Sequence, residues 1–464
     1  VAVAVRARFG VTPGRSCAAA LATLVAAACA LLPSPASAAP AKPRIGAPSA
    51  VVIDARTGER LYQRDADSHH QIASTTKLMT AMLTLQRTKQ DEVLTAPPYN
   101  ASPAESKIGL RAGERMSVHD LMRALMLPSA NDAAYDLAVN IGGSEGAFVR
   151  LMNATAEEIG LENTSYANPI GLDDPDNYSS AGDLAALAAR LLRNPTFAHI
   201  VDLPSARLST GVRPRTVVNR NDLVLRYPFV SGVKTGHTSQ AGYVLVGAAR
   251  QNGARVVSAV LGTPSEAARD ADSLALLRFG LAQFRRAKPV VADSTLARPK
   301  VRWFGDDRAR LVAQRGVALT VRRGKPLTTR VDAPAQIEGP LPAGHRIGSV
   351  EVVYRGKVVR TIPLVTATAV RGASFSRKAT RAVGGELPAV ALVVLLVAVL
   401  LLLMRARSRR GNGGGRGSND HHRHAQRRDR QDPGGPELPP GPPPPSGGAD
   451  VDGGRQGRER RTRA

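Results

Sequence analysis

The clearest alternations of apolar and polar positions lie at the two ends of a long middle segment. Ser49–Asp54 (SAVVID) is a short run rich in β-branched residues, and residues 59–63 follow it across Arg56-Thr57-Gly58, so the pattern predicts a hairpin. Strand-like runs return at 242–249 and 255–261, joined through Gln251-Asn252-Gly253, whose Asn-Gly pair suits a tight hairpin turn. Between these ends the apolar spacing is helical. From Ser74 the run STTKLMTAMLTLQ sets Leu78, Met79, Met82, Leu83 and Leu85 around most of a helix, leaving little polar face and predicting a central, buried helix. More helical stretches fall between residues 117 and 193, where Ser117 and Asp120 form a cap box ahead of Leu121, Met122, Leu125 and Met126. A further helix is expected over 265–284. Strands at both ends around a helical middle predict an α/β (α+β) domain over 45–286.

After Lys288-Pro289 the pattern changes to short β-like runs with Gly and Pro turns, predicting a small all-β domain over 290–370. Its clearest part is 349–364, two strands around Arg355-Gly356-Lys357. Residues 371–386 read as a basic linker. Residues 387–404 are eighteen positions without charge, about 27 Å as a helix, which fits a single transmembrane helix. Arg405, Arg407, Arg409 and Arg410 follow at once, so the positive-inside rule places 405–464 in the cytoplasm and everything before 387 outside. That tail, rich in Gly, Pro, Arg and Asp, is expected to be disordered; its His421, His422 and His424 are at most a weak chelator, and no specific nucleic-acid partner is assigned to its arginines. At the other end Arg6, Arg8 and Arg15 precede a small, apolar run over 17–32, then Pro33, Pro35 and Ala36-Ser37-Ala38, which reads as a signal peptide over 1–38.

Composition then narrows the chemistry. The chain has 464 residues, a formal charge of +25 and two cysteines, Cys17 and Cys29, both inside the expected leader. The exported part therefore has no cysteine, which excludes thiol nucleophiles, Cys-ligated zinc and iron–sulfur clusters. The basic balance favours long-range attraction to anionic polymers.

Three short motifs occur in order: Ser74-Thr75-Thr76-Lys77, Ser129-Ala130-Asn131 and Lys234-Thr235-Gly236. Each alone is weak; their order and context carry the reading. Ser74 stands where a helix begins, so its backbone N–H is available to an oxyanion. Lys77, one turn on, falls on the same face within reach of the Ser74 hydroxyl. Burial at a helix N-terminus, with a second cation from Lys234, lowers its pKa and makes it a base for Ser74. The third motif precedes a strand whose edge could align an extended peptide, with Lys234 and Thr235 offered to a terminal carboxylate.

With these motifs the chain resembles the low-molecular-mass penicillin-binding proteins, the serine D-alanyl-D-alanine carboxypeptidases. The resemblance extends to Ala73–Ala81, Ser129-Ala130-Asn131-Asp132-Ala133-Ala134, Asn163-Thr164, Asn168-Pro169-Ile170-Gly171-Leu172 and Val233-Lys234-Thr235-Gly236-His237-Thr238. It implies a β-lactamase/transpeptidase-like domain with an antiparallel sheet and a helical subdomain. It further implies that Ser74 attacks the penultimate D-Ala carbonyl, with Lys77 as general base. Ser129 relays the proton to the leaving D-Ala and Asn131 orients Lys77 and holds the substrate amide. Substrate binding falls to Lys234, Thr235, Gly236 and His237, the backbone N–H groups of Ser74 and His237 forming the oxyanion hole. Arg269 takes the place of a supporting arginine, or is simply a solvated charge. The implied partners are peptidoglycan stem peptides ending in D-Ala-D-Ala, β-lactams as covalent inhibitors, and a membrane through one C-terminal helix; no metal or cofactor is implied. A class A β-lactamase is disfavoured because Gly160-Leu161-Glu162-Asn163-Thr164 follows the carboxypeptidase pattern. A D,D-endopeptidase of wall cross-links, or a β-lactam-binding sensor or scaffold without turnover, remains as an alternative.

Overall fold

The computed structural model describes residues 40–410 apart from positions 383 and 385. The expected leader with both cysteines, and the tail beyond residue 410, lie outside the described residues. The chain divides into two units, the second starting at residue 383.

The first unit is built on a five-stranded antiparallel sheet. Its strands are β1 (Ser49–Asp54), β2 (Arg60–Arg64), β3 (Val230–Thr238), β4 (Gly242–Gln251) and β5 (Ala254–Thr263), in the order β2-β1-β5-β4-β3. The outer hairpins form as the turn chemistry requires: Gly58, Asn252 and Gly253 have φ of 74°, 50° and 79°. β1 is buried along its whole length, and alternation divides it between two cores. Val51 and Ile53 pack against the helical lobe, whereas Ala50 and Val52 face the opposite side. The helical lobe holds α1 (Lys77–Arg87), α2 (Val118–Met126), α3 (Asn131–Gly142), α4 (Glu145–Glu158), α5 (Ala181–Leu191) and α6 (Pro195–Asp202). The other face is covered by α7 (Glu266–Ala282). Gly280 allows that contact, because a Cβ there would lie 2.8 Å from Val52 Cγ2.

The expected cap of α2 forms, the Ser117 hydroxyl accepting from the Asp120 N–H, and Ser265 caps α7 in the same way. α1 is the central helix, with Leu78, Met79 and Leu83 inaccessible. Each such side chain contributes roughly 2 kcal/mol, and together they hold the buried Lys77 in place.

Two local expectations change. The segment at Ser74 is a 3₁₀ turn, Ala73–Thr76, and the α-helix starts only at Lys77. The small β domain begins earlier than 290, because Phe284–Val290 (β6) pairs with β9 (Val317–Arg322). Arg285, Arg286, Lys288 and Pro289 hide the strand's alternation, which survives only in the buried Ala287 and Val290. The domain's main sheet has the order β7-β8-β12-β11-β10, with β7 (Thr295–Ala297), β8 (Leu311–Ala313), β10 (Leu327–Asp332), β11 (Arg346–Tyr354) and β12 (Lys357–Thr366). The expected linker contains a short helix, Phe375–Ala382, whose Lys378 donates to Glu338 at 2.7 Å and whose Arg377 stacks over Phe304.

The second unit carries a 25-residue helix, α8 (Glu386–Arg410). An 18-residue window within its stretch Leu387–Arg407 has a mean hydropathy of 3.2, and the stretch is long and apolar enough to cross a membrane.

Candidate active site

Ser74 lies in the 3₁₀ turn, half-buried, between Ala73 and Thr75 that are fully covered. Thr75 pins the turn by donating its hydroxyl to the Ile72 carbonyl at 2.6 Å. Ala73 takes φ +47°, a left-handed value that turns the chain sharply into the nucleophile. Two glycines let other segments press against this turn. A Cβ on Gly236 would lie 3.0 Å from the Ser74 nitrogen and from Ala73 Cβ, so β3 runs directly past the nucleophile. A Cβ on Gly171, whose φ is +93°, would lie 2.0 Å from the Ala73 carbonyl oxygen. No side chain fits either place.

Lys77 is inaccessible to solvent, yet its Nζ meets three oxygens: Ser74 Oγ at 2.9 Å, Asn131 Oδ1 at 2.7 Å and the Ile170 carbonyl at 2.7 Å. The last of these explains the Asn168–Leu172 motif. Asn168 Oδ1 accepts from the N–H groups of Ile170, Gly171 and Leu172, and this loop aims the Ile170 carbonyl at the amine. Burial brings the Lys77 pKa down to about 7; Glu105 opposes the fall, Arg220 adds to it, and Asp132 opposes it. A neutral amine has two protons and one lone pair. The two carbonyl-type oxygens can take only protons, so the lone pair is left facing the Ser74 hydroxyl. That is the geometry of a base beside its nucleophile.

The second motif enters from the start of α3. Asn131 Oδ1 accepts from Lys77, while its Nδ2 donates to Glu105 Oε2 at 2.7 Å. Glu105 thus takes one of the two Nδ2 protons of Asn131. Ser129 is buried at φ +65°, and its hydroxyl has no hydrogen-bond partner among the described residues.

The third motif lies on β3, which pairs with β4 through Lys234↔Val246, Thr235↔Leu245 and His237↔Tyr243. Lys234 is buried, and its Nζ donates to the Thr235 carbonyl at 2.8 Å. Burial lowers its pKa well below the usual range, and Lys77, Arg220 and Arg269 push the same way. Lys77 and Lys234 thus each weaken as a cation, but the positive charge that lowers Lys77 is Arg220, and the expected contribution of Lys234 falls on Lys234 itself. Thr235 and Gly236 are buried beside it. His237 is exposed and its ring lies tilted by 31° against Tyr243, centroids 4.0 Å apart. Arg269 is not a solvated charge: it is 3% exposed, with Glu266 at 2.7 Å and Asp270 at 2.8 Å.

Sequence reasoning missed Glu105. Its carboxylate accepts from Asn131 and from the Tyr99 hydroxyl (2.5 Å), and burial, which would raise its pKa, is outweighed by these bonds and by the Ser102 N–H. Glu105 lies 26 residues before Asn131 in an irregular loop, where no spacing rule connects them. The loop is fixed by Asp132, whose Oδ2 accepts from the N–H groups of Gly109 and Leu110 at 2.8 and 2.9 Å. Arg220, on a loop after the helical lobe, was missed for the same reason.

Residues 36–265 match the D-alanyl-D-alanine carboxypeptidase family, peptidase S11. Residues 284–371 match the C-terminal domain of penicillin-binding protein 5. The chain is 32% identical over 358 residues to D-alanyl-D-alanine carboxypeptidase DacA of Escherichia coli (strain K12), covering 73% of this chain and 87% of that protein. It is 29% identical over 347 residues to D-alanyl-D-alanine carboxypeptidase DacF of Bacillus subtilis (strain 168), covering 73% and 89%. Among solved structures, penicillin-binding protein 5 from Haemophilus influenzae aligns with a TM-score of 0.50 at 30% identity, over 72% of this chain and all of that one. With the Ser-Lys pair, the buried second lysine and the β domain in these places, the chain belongs to the D-alanyl-D-alanine carboxypeptidase family of serine peptidases.

Proposed function

We propose that the protein is an exported, membrane-anchored carboxypeptidase that removes the terminal D-alanine from peptidoglycan stem peptides through an acyl-enzyme on Ser74. The observation that carries this reading is the Lys77 amine, buried, 2.9 Å from Ser74 Oγ and with a pKa near 7. Neutral Lys77 takes the hydroxyl proton as Ser74 Oγ bonds to the carbonyl carbon of the penultimate D-Ala. The oxyanion is assigned to the backbone N–H groups of Ser74 and His237, a reading supported by the tight packing of Gly236, next to His237, on the Ser74 turn. Collapse breaks the peptide C–N bond, and the leaving D-Ala amine takes its proton through Ser129, whose buried hydroxyl is otherwise unpartnered. Water then adds to the ester carbon, giving up its proton to Lys77, and Ser74 leaves with that proton restored.

Asn131 and the Ile170 carbonyl hold the Lys77 amine, and Glu105 holds Asn131. Lys234 and Thr235 take the terminal carboxylate, with the buried Arg269 adding positive potential behind Lys234. β-Lactams enter the same cleft and acylate Ser74. The domain boundaries we favour are a leader over 1–38, a peptidase domain over 45–286 shortened to end before β6, a β domain over 290–370 extended back to include β6, a linker over 371–386, an anchor over 387–404 and a cytoplasmic tail over 405–464. The apolar stretch of α8 over 387–404 and the arginines that close the helix after it support the anchor and its orientation.

The test is free D-alanine released from diacetyl-Lys-D-Ala-D-Ala by the full chain in detergent. Ser74→Ala is expected to lower release by at least about 1,000-fold with folding intact; equal release by the variant would refute the assignment.

A further inference from the structure

Where the peptidase domain meets the β domain, two clefts open at the end of the central sheet remote from Ser74. The larger, about 710 Å³, is lined by Arg56, Arg193, Arg250 and Arg255 together with Asp54. The smaller, about 420 Å³, is lined by Arg278, Arg285, Arg286 and Arg323. They meet at Phe284 and Thr320, where the Thr320 hydroxyl donates to the Asn252 carbonyl at the tip of the β4–β5 hairpin. The register locates them: His237 pairs with Tyr243 at one end of β4, and the clefts begin five residues on, at Ala248, about 17 Å away along the strand.

The charged lining is eight arginines against one carboxylate. Asp54 is 4% exposed, its Oδ1 accepts from the Arg56 N–H in the β1–β2 turn, and among the described residues it makes no ion pair with any of the eight. Arg250 has a carboxylate partner, Asp202 at 2.7 Å, and Arg323 donates to the Ala282 carbonyl. Arg56, Arg193, Arg255, Arg278, Arg285 and Arg286 are exposed, and among the described residues none makes an ion pair with a carboxylate. Cations gathered within a Debye length of one another repel, so this arrangement costs stability until an anion arrives. Guanidinium forks match phosphate oxygens in pairs, which a lysine surface does not. The shape selects among phosphate-bearing partners. A single extended chain can enter a concave cleft, whereas the flat face of a bilayer cannot reach into one.

We propose that this arginine-lined junction docks a linear phosphodiester-linked polyol chain of the cell wall, holding the enzyme beside its substrate while leaving the catalytic cleft free. The source of the polymer rests on the wall-side placement proposed above; the binding itself does not. The test titrates the full chain in neutral detergent with fluorescently labelled poly(glycerol phosphate). Two triple variants, R56A/R193A/R255A and R278A/R285A/R286A, are compared with R87A/R115A/R150A, which removes the same charge from exposed arginines of the helical lobe. Each cleft variant is expected to bind about tenfold more weakly, and the lobe variant within about twofold of the parent. Equal weakening by all three would reduce the effect to net charge and overturn the site. So would an absence of polymer binding, or binding of the same arginines to phosphatidylglycerol vesicles in preference to the polymer. D-alanine release measured on the same samples is expected to stay within about twofold in both cleft variants. Its absence from the parent would strike the catalytic reading and leave the binding result to decide the docking site.

Discussion

The proposed role of Lys77 as a base depends on what surrounds it. A lysine in water is charged at neutral pH and cannot accept a proton; burial in α1 makes the charged form cost roughly 5 kcal/mol and brings the pKa to about 7. Glu105 pulls the other way, since an anion nearby favours the ammonium. Its second effect is geometric. By accepting from Asn131 Nδ2 it fixes the amide so that Oδ1, not the amine end, faces Lys77. Glu105→Gln removes the charge and leaves a group that can present either donor or acceptor. The Lys77 pKa is then expected to fall further, moving the acid limb of kcat/KM to lower pH, while kcat/KM at pH 8 drops several-fold. An acid limb that does not move would make Glu105 a loop anchor only. The residues of the three motifs were legible because they are local: Ser74 and Lys77 are one turn apart. Glu105, Arg220 and the Ile170 carbonyl were not, because each reaches Lys77 from a distant loop and carries no period.

At the scale of elements, α3 contains a feature the mechanism does not use. Asp136, one turn beyond Asp132, is 1% exposed, and its Oδ2 has no partner among the described residues. Burial, with Asp132 and Glu114 nearby, raises its pKa to about 7 against the hydrogen bond from Asn140. A carboxyl whose folded pKa is raised contributes stability that is complete below about 4 and is lost as pH rises through about 7. Asp136→Asn removes this dependence. Relative to the parent, the variant is expected to gain about 2–3 kcal/mol between pH 5 and pH 8 in urea unfolding; parallel curves would show that Asp136 ionises normally. Elements with strong local signals were readable in advance: β1, β4, β5, the Asn252-Gly253 turn, the cap at Ser117 and the helix that begins after Ser265. Those set by tertiary contact were not. The 3₁₀ turn at Ser74 is packed closely by the Gly171 and Gly236 segments, and β6 exists because β9 pairs with charged residues that carry no strand pattern of their own.

At the scale of the molecule, one carboxylate ties the two domains of the first unit. Glu59, in the β1–β2 hairpin, binds Arg322 of β9 and Arg355 of the β11–β12 turn, the latter at 2.7 Å. Its burial alone would raise its pKa, but the two guanidinium groups lower it. The contribution is therefore present above the usual carboxylate pKa and lost as pH falls through the lowered one. Glu59→Ala is expected to cost about 1 kcal/mol and to speed tryptic cleavage at Arg285 and Arg286, with D-alanine release unchanged; unchanged cleavage would mean the domains are held without it. The central claim is that Ser74 is the nucleophile and neutral Lys77 its base, and the direct measurement is acylation by benzylpenicillin followed by intact mass across pH. The expected result is one adduct, located on the Ser74 peptide and absent from Ser74→Ala, forming at a rate that rises through about pH 7 as Lys77 loses its proton. An adduct on another residue, or a rate flat from pH 5 to 9, would contradict it.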